Sequence, residues 1–204
     1  MSKAKQRIVR PRSDLRTVMP TRKPNSAYRS REHLLDREVE ALMKAAKRNR
    51  HGQRDATIIL LMWRHALRVS ELCGLQWSDV SFEDATLNVR RSKGGEHTTH
   101  PILGDEMRAL RALKREAATQ WLFCSERGGP FDRAGIARMI ERAGEAAGLP
   151  FKVHPHMLRH ATGYALVNRG VDTRTLQAYM GHRSITSTTR YAALAPGRFK
   201  SLWR

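Results

Sequence analysis

The 204-residue sequence lacks any long apolar run. A helix that spans a membrane needs about 20 consecutive apolar residues. The most apolar stretch, ATIILLMW at residues 56–63, is much shorter and lies between Arg54 and Arg64, which is typical of a buried core helix. The N-terminus is basic but has no apolar segment of the kind that a signal peptide requires. These absences argue against a membrane partner and predict a cytoplasmic location.

Cysteine is also scarce, and the two that are present show no motif. Cys73 and Cys124 lie among apolar neighbours, in ELCGL and WLFCS, without the CxxC spacing of a redox or zinc site. We predict that both are reduced residues of the core. The sequence has no internal repeat and no linker of domain size, so its length predicts one main domain.

Acidic residues are few relative to basic ones. The chain carries 38 Lys and Arg against 19 Asp and Glu, a formal net charge of +19. Such an excess predicts a polyanionic partner. The cations are spread over predicted helices and loops and do not form one face of an amphipathic anchor, which favours nucleic acid over a membrane surface.

Residues 1–33 are predicted to form a basic, flexible arm, because they contain many cations and almost no apolar periodicity. One interpretation is a tail that keeps the protein soluble. The other is an arm that lies along DNA phosphates and makes affinity strongly dependent on salt. In that case its DNA-binding cations include Arg10, Arg12, Arg22 and Lys23.

Residues 34–204 are predicted to form a mainly α domain with a small antiparallel β-hairpin. Asp36 is the predicted N-cap of the first helix, without a reciprocal capping box, and a second helix is predicted over residues 53–66. Ser70 is the predicted N-cap of a short third helix, SELCGL. Arg68 would therefore lie in the joint between two helices.

The hairpin is predicted from ATLNVRR and HTTHPI, which alternate like strands on either side of SKGGE, with Lys93 near the tip. WLFCS is predicted to be a further short strand. Helical periodicity returns in GDEMRALRALKREAA and DRAGIARMIERAGEAAGL. From Pro155 onward, three helices broken at Gly170 and Gly181 are predicted.

The stretch HPHMLRH, residues 154–160, could bind a metal or a phosphate. His156 and His160 are four apart and could supply two zinc ligands, but no HExxH pattern or third ligand accompanies them, and the charged Arg159 would lie beside the ion. His156 and Arg159 are three apart on one helix face, where both can reach one anionic group. A helix that simply carries well-paired polar residues is the alternative. We favour the phosphate interpretation and predict no metal.

In chain order, a set of residues resembles the catalytic set of the tyrosine recombinase, or phage integrase, family: Arg68, Lys93, His156-x-x-Arg159, His182 and Tyr191. The resemblance covers residues 34–194. Within the family, HTTHP, HPHMLRH and PGRF are most similar to the small fimbrial-switch invertases. Taken singly, Lys93 could be a solvated turn residue and Tyr191 a core residue.

The resemblance implies the catalytic-domain fold of that family and a site-specific recombinase that cuts and rejoins DNA through a 3′-phosphotyrosyl intermediate. Tyr191 would be the nucleophile, Arg68 and Arg159 would hold the scissile phosphate, and Lys93 would protonate the departing 5′-oxygen. The family's pattern also gives roles to His156, which would assist proton removal, to His182, which would donate a hydrogen bond to the phosphate, and to two supporting residues, Glu71 and His160.

The same resemblance implies that no cofactor is needed, because the phosphotyrosyl bond keeps the energy of the broken phosphodiester. It also implies a homotetramer on two double-stranded DNA sites. Two alternatives remain: a type IB topoisomerase-like enzyme, and a catalytically silent DNA-binding regulator. The C-terminal tail, LAPGRFKSLWR, is predicted to pack on a neighbouring protomer through Phe199, Leu202 and Trp203.

Overall fold

The computed structural model describes residues 31–91 and 97–193. The predicted arm up to residue 30, the hairpin tip with Lys93, and the C-terminal tail lie outside the described residues. Eight α-helices, one short 3₁₀ helix (Trp77–Asp79) and a three-stranded sheet occur in the described part of the chain, which confirms the predicted fold class. In chain order they are α1 Asp36–Ala46, α2 Gly52–Arg64, α3 Val69–Cys73, β1 Val80–Ser81, β2 Thr86–Val89, β3 Thr98–Pro101, α4 Gly104–Arg115, α5 Arg133–Ala146, α6 Pro155–Asn168, α7 Thr173–Met180 and α8 Thr186–Ala193.

Helix α2 forms the centre of the core, as its apolar sequence predicts. Ile58, Ile59, Leu61 and Met62 are fully buried, and α2 packs against α1, α4 and α6. Burying each such side chain stabilises the fold by about 1.5–3 kcal/mol before entropy is counted. No described helix is long and apolar enough to cross a membrane.

Helices α1 and α3 begin differently from the sequence prediction, for one common reason. The N-cap of α1 is Leu35, not Asp36, and the N-cap of α3 is Arg68, not Ser70. In both helices a glutamate three residues later accepts the N-cap N–H: Glu38 at 2.8 Å and Glu71 at 2.9 Å. The glutamate half of a capping box therefore fixes each start, although we predicted that α1 had no such contact.

The predicted hairpin is confirmed, with Leu87 opposite His100 and Val89 opposite Thr98. A third strand, β1, adds to β2 in antiparallel register; with two residues it is too short to be found from periodicity. The strand prediction for WLFCS is wrong, because this segment makes only isolated bridges. Its Leu122 and Phe123 are adjacent and both buried, whereas adjacent residues of a strand face opposite sides.

Both cysteines are free, as predicted, but only partly buried. Burial raises the pKa of the Cys73 thiol to about 11, so this group is protonated and unreactive at neutral pH.

The predicted breaks near Gly170 and Gly181 are confirmed: α6 ends at Asn168 and α7 at Met180. The last three helices, α6, α7 and α8, all pack against one another. We call the place where they meet the helical corner, and it carries Arg159, His182 and Tyr191 of the predicted site.

Candidate active site

Arg159 lies in the second turn of α6, which begins at Pro155 with His154 as its N-cap. Its side chain is almost completely buried and donates to the Met180 carbonyl at 2.6 Å and to the Ala66 carbonyl. Burial, together with the charges of Arg68 and Arg91, lowers the pKa of Arg159 to about 9. The guanidinium is therefore still charged at neutral pH and is held in one position by backbone oxygens.

Arg68 approaches the same corner from the joint between α2 and α3. Its Nη2 donates to the Gly181 carbonyl at 3.3 Å and its Nη1 to Glu71 Oε1 at 2.6 Å. About a quarter of the side chain, 26%, remains exposed. Arg68 and Arg159 thus bind the consecutive carbonyls of Gly181 and Met180, so the structure brings the two predicted arginines together.

Glu71 is buried between Arg68 and a second arginine, Arg91, whose Nη1 lies 3.0 Å from Glu71 Oε2. Burial alone would raise the pKa of Glu71, but the hydrogen bonds from Arg68 and the charge of Arg91 lower it below its ordinary value. The sequence analysis predicted a supporting role for Glu71 but missed Arg91. The available signal was the alternation of Leu87, Val89 and Arg91, which all point inward.

Tyr191, on α8, is buried at 1% exposure in the same corner. Its ring stacks on His182, with centroids 6.3 Å apart and an interplanar angle of 11°, and meets Tyr164 edge-on at 5.2 Å. A Cβ at Gly163 would lie 2.7 Å from this ring, so glycine makes room for it. Burial raises the pKa of Tyr191 to about 12, although the Arg159 charge opposes this. The phenol is therefore protonated at neutral pH and needs a base before it can act as a nucleophile.

His160 is the imidazole that contacts the phenol: its Nδ1 lies 2.8 Å from Tyr191 Oη. Burial lowers the pKa of His160 to about 4, so its neutral ring can accept the phenolic hydrogen bond. His156 is exposed on α6, with its ring 6.4 Å from that of His154. The structure thus places His160, not His156, against Tyr191, and the proton-transfer role of His156 stays a prediction.

His182 follows Gly181 directly and is held by Thr188, whose Oγ1 is 2.8 Å from His182 Nδ1. Burial, reinforced by the charges of Arg159 and Arg68, lowers its pKa to about 4. A neutral His182 with Nδ1 engaged by Thr188 can present Nε2 to an incoming oxygen. Within residues 31–91 and 97–193, no group of three His, Cys, Asp or Glu could hold a metal ion.

The helical corner thus contains two arginines fixed on backbone carbonyls, two neutral histidines and a tyrosine. This arrangement can bind a phosphate and present a hydroxyl to it. The chain belongs to the phage integrase family, the tyrosine recombinases, whose profile it matches over residues 32–198.

Several relatives show how far the likeness extends. The chain is 40% identical over 181 residues to the type 1 fimbriae regulatory protein FimB of Escherichia coli K12, covering 86% of this chain and 90% of that protein. It is 42% identical to FimE of the same strain over 180 residues, covering 85% and 91%. The crystal structure of XerA recombinase superposes with a TM-score of 0.73 at 30% identity, covering 84% of this chain and 63% of that one. The predicted family and fold are confirmed.

The buried histidines give the protein a characteristic response to acid. Burial lowers the pKa values of His100, His160 and His182 from 6.5 to about 3, 4 and 4. As the pH falls below 6.5, these histidines become protonated in the unfolded chain before they do so in the folded protein. The stability that the neutral rings contribute is therefore complete above pH 6.5 and is lost as the pH falls towards 4. We expect the free energy of unfolding, measured in urea, to decrease by several kcal/mol in this window.

A matched pair of variants tests the origin of this acid response. His160→Gln should reduce the slope of the unfolding free energy against pH, whereas His97→Gln, at an exposed position, should leave it unchanged. Equal slopes for the wild type and His160→Gln would show that His160 does not contribute.

Proposed function

We propose that the protein is a site-specific DNA recombinase that cuts and rejoins strands through a 3′-phosphotyrosyl intermediate. The observation that carries this proposal is the meeting of Tyr191 with Arg159 and His182 in one corner, next to Arg68. Guanidinium groups bind phosphate through a planar fork and offset the negative charge that develops during attack at phosphorus.

In the proposed reaction, Tyr191 Oη attacks the scissile phosphorus and loses its proton to a base, for which the structure offers neutral His160, with Nδ1 2.8 Å from Oη. The bond from phosphorus to the 5′-oxygen breaks, and Lys93 protonates that oxygen to give a free 5′-hydroxyl. Arg68 and Arg159 hold the phosphate oxygens, and His182 donates a further hydrogen bond. His156 assists proton removal from the phenol.

Attack by the 5′-hydroxyl of a partner strand then releases Tyr191 and reseals the DNA. The phosphotyrosyl ester conserves the energy of the original phosphodiester, so this chemistry calls for no nucleotide cofactor. Inversion, integration and excision are then the same chemistry on differently arranged sites.

The proposed partner is double-stranded DNA with specific sites, bound by four protomers across two sites. The net charge of +19 supports a polyanionic partner. A λ integrase structure at 26% identity and a TM-score of 0.62 is of a dimer bound to a core site. We assign residues 34–204 to the catalytic domain and residues 1–33 to a basic arm that lies along the DNA backbone.

The direct test is covalent capture of DNA. The probe is a pool of duplexes with a randomised 30-base-pair region and a nick, so that cleavage beside the nick releases a short strand and traps the adduct. We expect an adduct that survives denaturation, whose peptide contains Tyr191 and whose captured DNA shares one sequence.

The other outcomes separate the alternatives. Captured DNA without a common sequence, together with relaxation of supercoiled plasmid, would favour a topoisomerase. A selected sequence that is bound without any adduct would favour a silent regulator.

A further inference from the structure

We propose that Arg91 is a positioning residue for the strand-cleavage step: it holds Glu71, and through it Arg68, in the orientation that engages the scissile phosphate. This inference rests on the proposed function. Arg91 lies outside the set predicted from the sequence, and its side chain is fully buried, so it acts on the reacting groups only through others.

Glu71 divides its two carboxylate oxygens between Arg68 and Arg91. Oε1 accepts from the Arg68 side chain, while Oε2 accepts from Arg91 Nη1 at 3.0 Å and from the Arg68 backbone N–H at 2.9 Å. Without Arg91, both oxygens could turn towards Arg68 and form a two-pronged pair with it. Arg91 thus limits Glu71 to one contact with the Arg68 guanidinium, whose exposed part can then meet a phosphate.

Arg91 is itself fixed by partners from several elements. Its Nη2 donates to the Tyr179 carbonyl, to the His65 carbonyl at 3.4 Å, and to His100 Nε2 at 3.4 Å. These partners come from α7, from the end of α2 and from β3. One guanidinium therefore joins three elements to Glu71 on α3.

The histidine contact continues to a second buried ring. Burial lowers the pKa of His100 to about 3, so this ring is neutral. Its Nδ1 lies 3.2 Å from His65 Nδ1, and His65 Nε2 lies 2.9 Å from Glu106 Oε1. All three side chains are buried, so Arg91 is enclosed by groups from β3, the end of α2 and α4.

The turn at Gly181 is a further contact of Arg91. A Cβ at this glycine would lie 2.7 Å from Arg91 Nε, so the turn rests directly on the Arg91 side chain. The same turn provides the carbonyls that hold Arg68 and Arg159. Arg91 therefore reaches Arg68 by two routes, through Glu71 and through the Gly181 carbonyl.

The test compares Arg91→Lys with Arg90→Lys. Lysine keeps the charge at position 91 but cannot donate in several directions from one plane. Arg90 is the adjacent residue, half exposed and paired with Asp79, away from Glu71. With the trapping DNA at saturation, we expect the single-turnover rate constant of adduct formation to fall roughly 10- to 100-fold for Arg91→Lys. For Arg90→Lys it should stay within about twofold of the wild type, as for other surface changes.

Three further readouts distinguish positioning from a general structural role. DNA affinity, measured in a Tyr191→Phe background, should be little changed, because the loss is in the chemical step. The reaction amplitude should be retained, since partial unfolding would lower the amplitude and not the rate constant. In an Arg68→Lys background, Arg91→Lys should add little, because it acts through Arg68.

The outcomes are distinct. No adduct with the wild type would remove the proposed function and this inference together. A wild-type rate for Arg91→Lys, a loss confined to amplitude, or an effect that multiplies with Arg68→Lys would overturn the inference alone. If Arg91→Lys does not fold, His100→Asn, which removes one anchor of Arg91 and leaves its pair with Glu71, should lower the rate constant in the same direction.

Discussion

Replacing Tyr191 with phenylalanine will abolish the covalent adduct, with a loss of at least about 10⁴-fold in cleavage rate. The change removes only the hydroxyl oxygen, and with it both the proposed nucleophile and the 2.8 Å contact with His160. The ring keeps its packing against His182 and Tyr164, so the fold should lose only about 1 kcal/mol. The measurement is adduct formation on trapping DNA, beside DNA affinity, which should be unchanged.

Tyr164→Phe is the matched control. Tyr164 is in edge-on contact with Tyr191 and lies one turn after His160 on α6, yet the proposed chemistry does not use its hydroxyl. This variant should form the adduct at close to the wild-type rate. If Tyr191→Phe still forms the adduct and Tyr164→Phe does not, then Tyr164, and not Tyr191, is the nucleophile.

Replacing Glu71 with alanine will lower the free energy of unfolding by about 3–5 kcal/mol, because it leaves the buried charge of Arg91 without its carboxylate. Cleavage should fall with it, since Arg68 loses its side-chain partner. Urea unfolding at pH 7 measures the first effect and the trapping assay the second. Glu116→Ala, at an exposed position after α4, is the control and should change stability by less than about 0.5 kcal/mol.

The pH dependence provides a further check on Glu71. Because its pKa is lowered in the folded protein, its stabilisation is complete above the unfolded value of 4.5 and is lost as pH falls through the folded value. The stability difference between the wild type and Glu71→Ala should therefore shrink below pH 4.5. A constant difference down to acid pH would show that Glu71 acts through packing and not through its charge.

Much of this architecture could be predicted from sequence. The apolar periodicity of α2, the alternation in the hairpin and the proline at the start of α6 are local signals, and all three predictions are confirmed. The first residues of α1 and α3 were wrong because a glutamate further along, not the expected cap, satisfies the first N–H. WLFCS was misassigned because hydrophobicity alone cannot distinguish a strand from a buried irregular segment.

The site was less completely predictable, because its supports are distant in sequence. The Arg159 contact with Ala66 spans 93 residues and the Arg68 contact with Gly181 spans 113. The sequence identified Arg68, Arg159, His182 and Tyr191 as a set, but the inward position of Arg91 depends on a strand packing against α3 and α7. Likewise, which histidine of HPHMLRH faces Tyr191 depends on how α8 lies against α6, which spacing does not determine.

Glu71 pairs with both Arg68 and Arg91, so one negative charge is shared by two positive ones. Among the described residues of the corner, Arg68, Arg91 and Arg159 contribute three positive charges and Glu71 one negative, while His160 and His182 are neutral above their pKa values of about 4. These described side chains therefore carry an excess of two positive charges. A phosphodiester under attack by a phenolate carries two negative charges, whereas the resting phosphodiester carries one. These described side chains thus match the charge of the pentacoordinate species and exceed that of the intact phosphodiester, so they stabilise the transition state more than bound DNA and lower the barrier to cleavage.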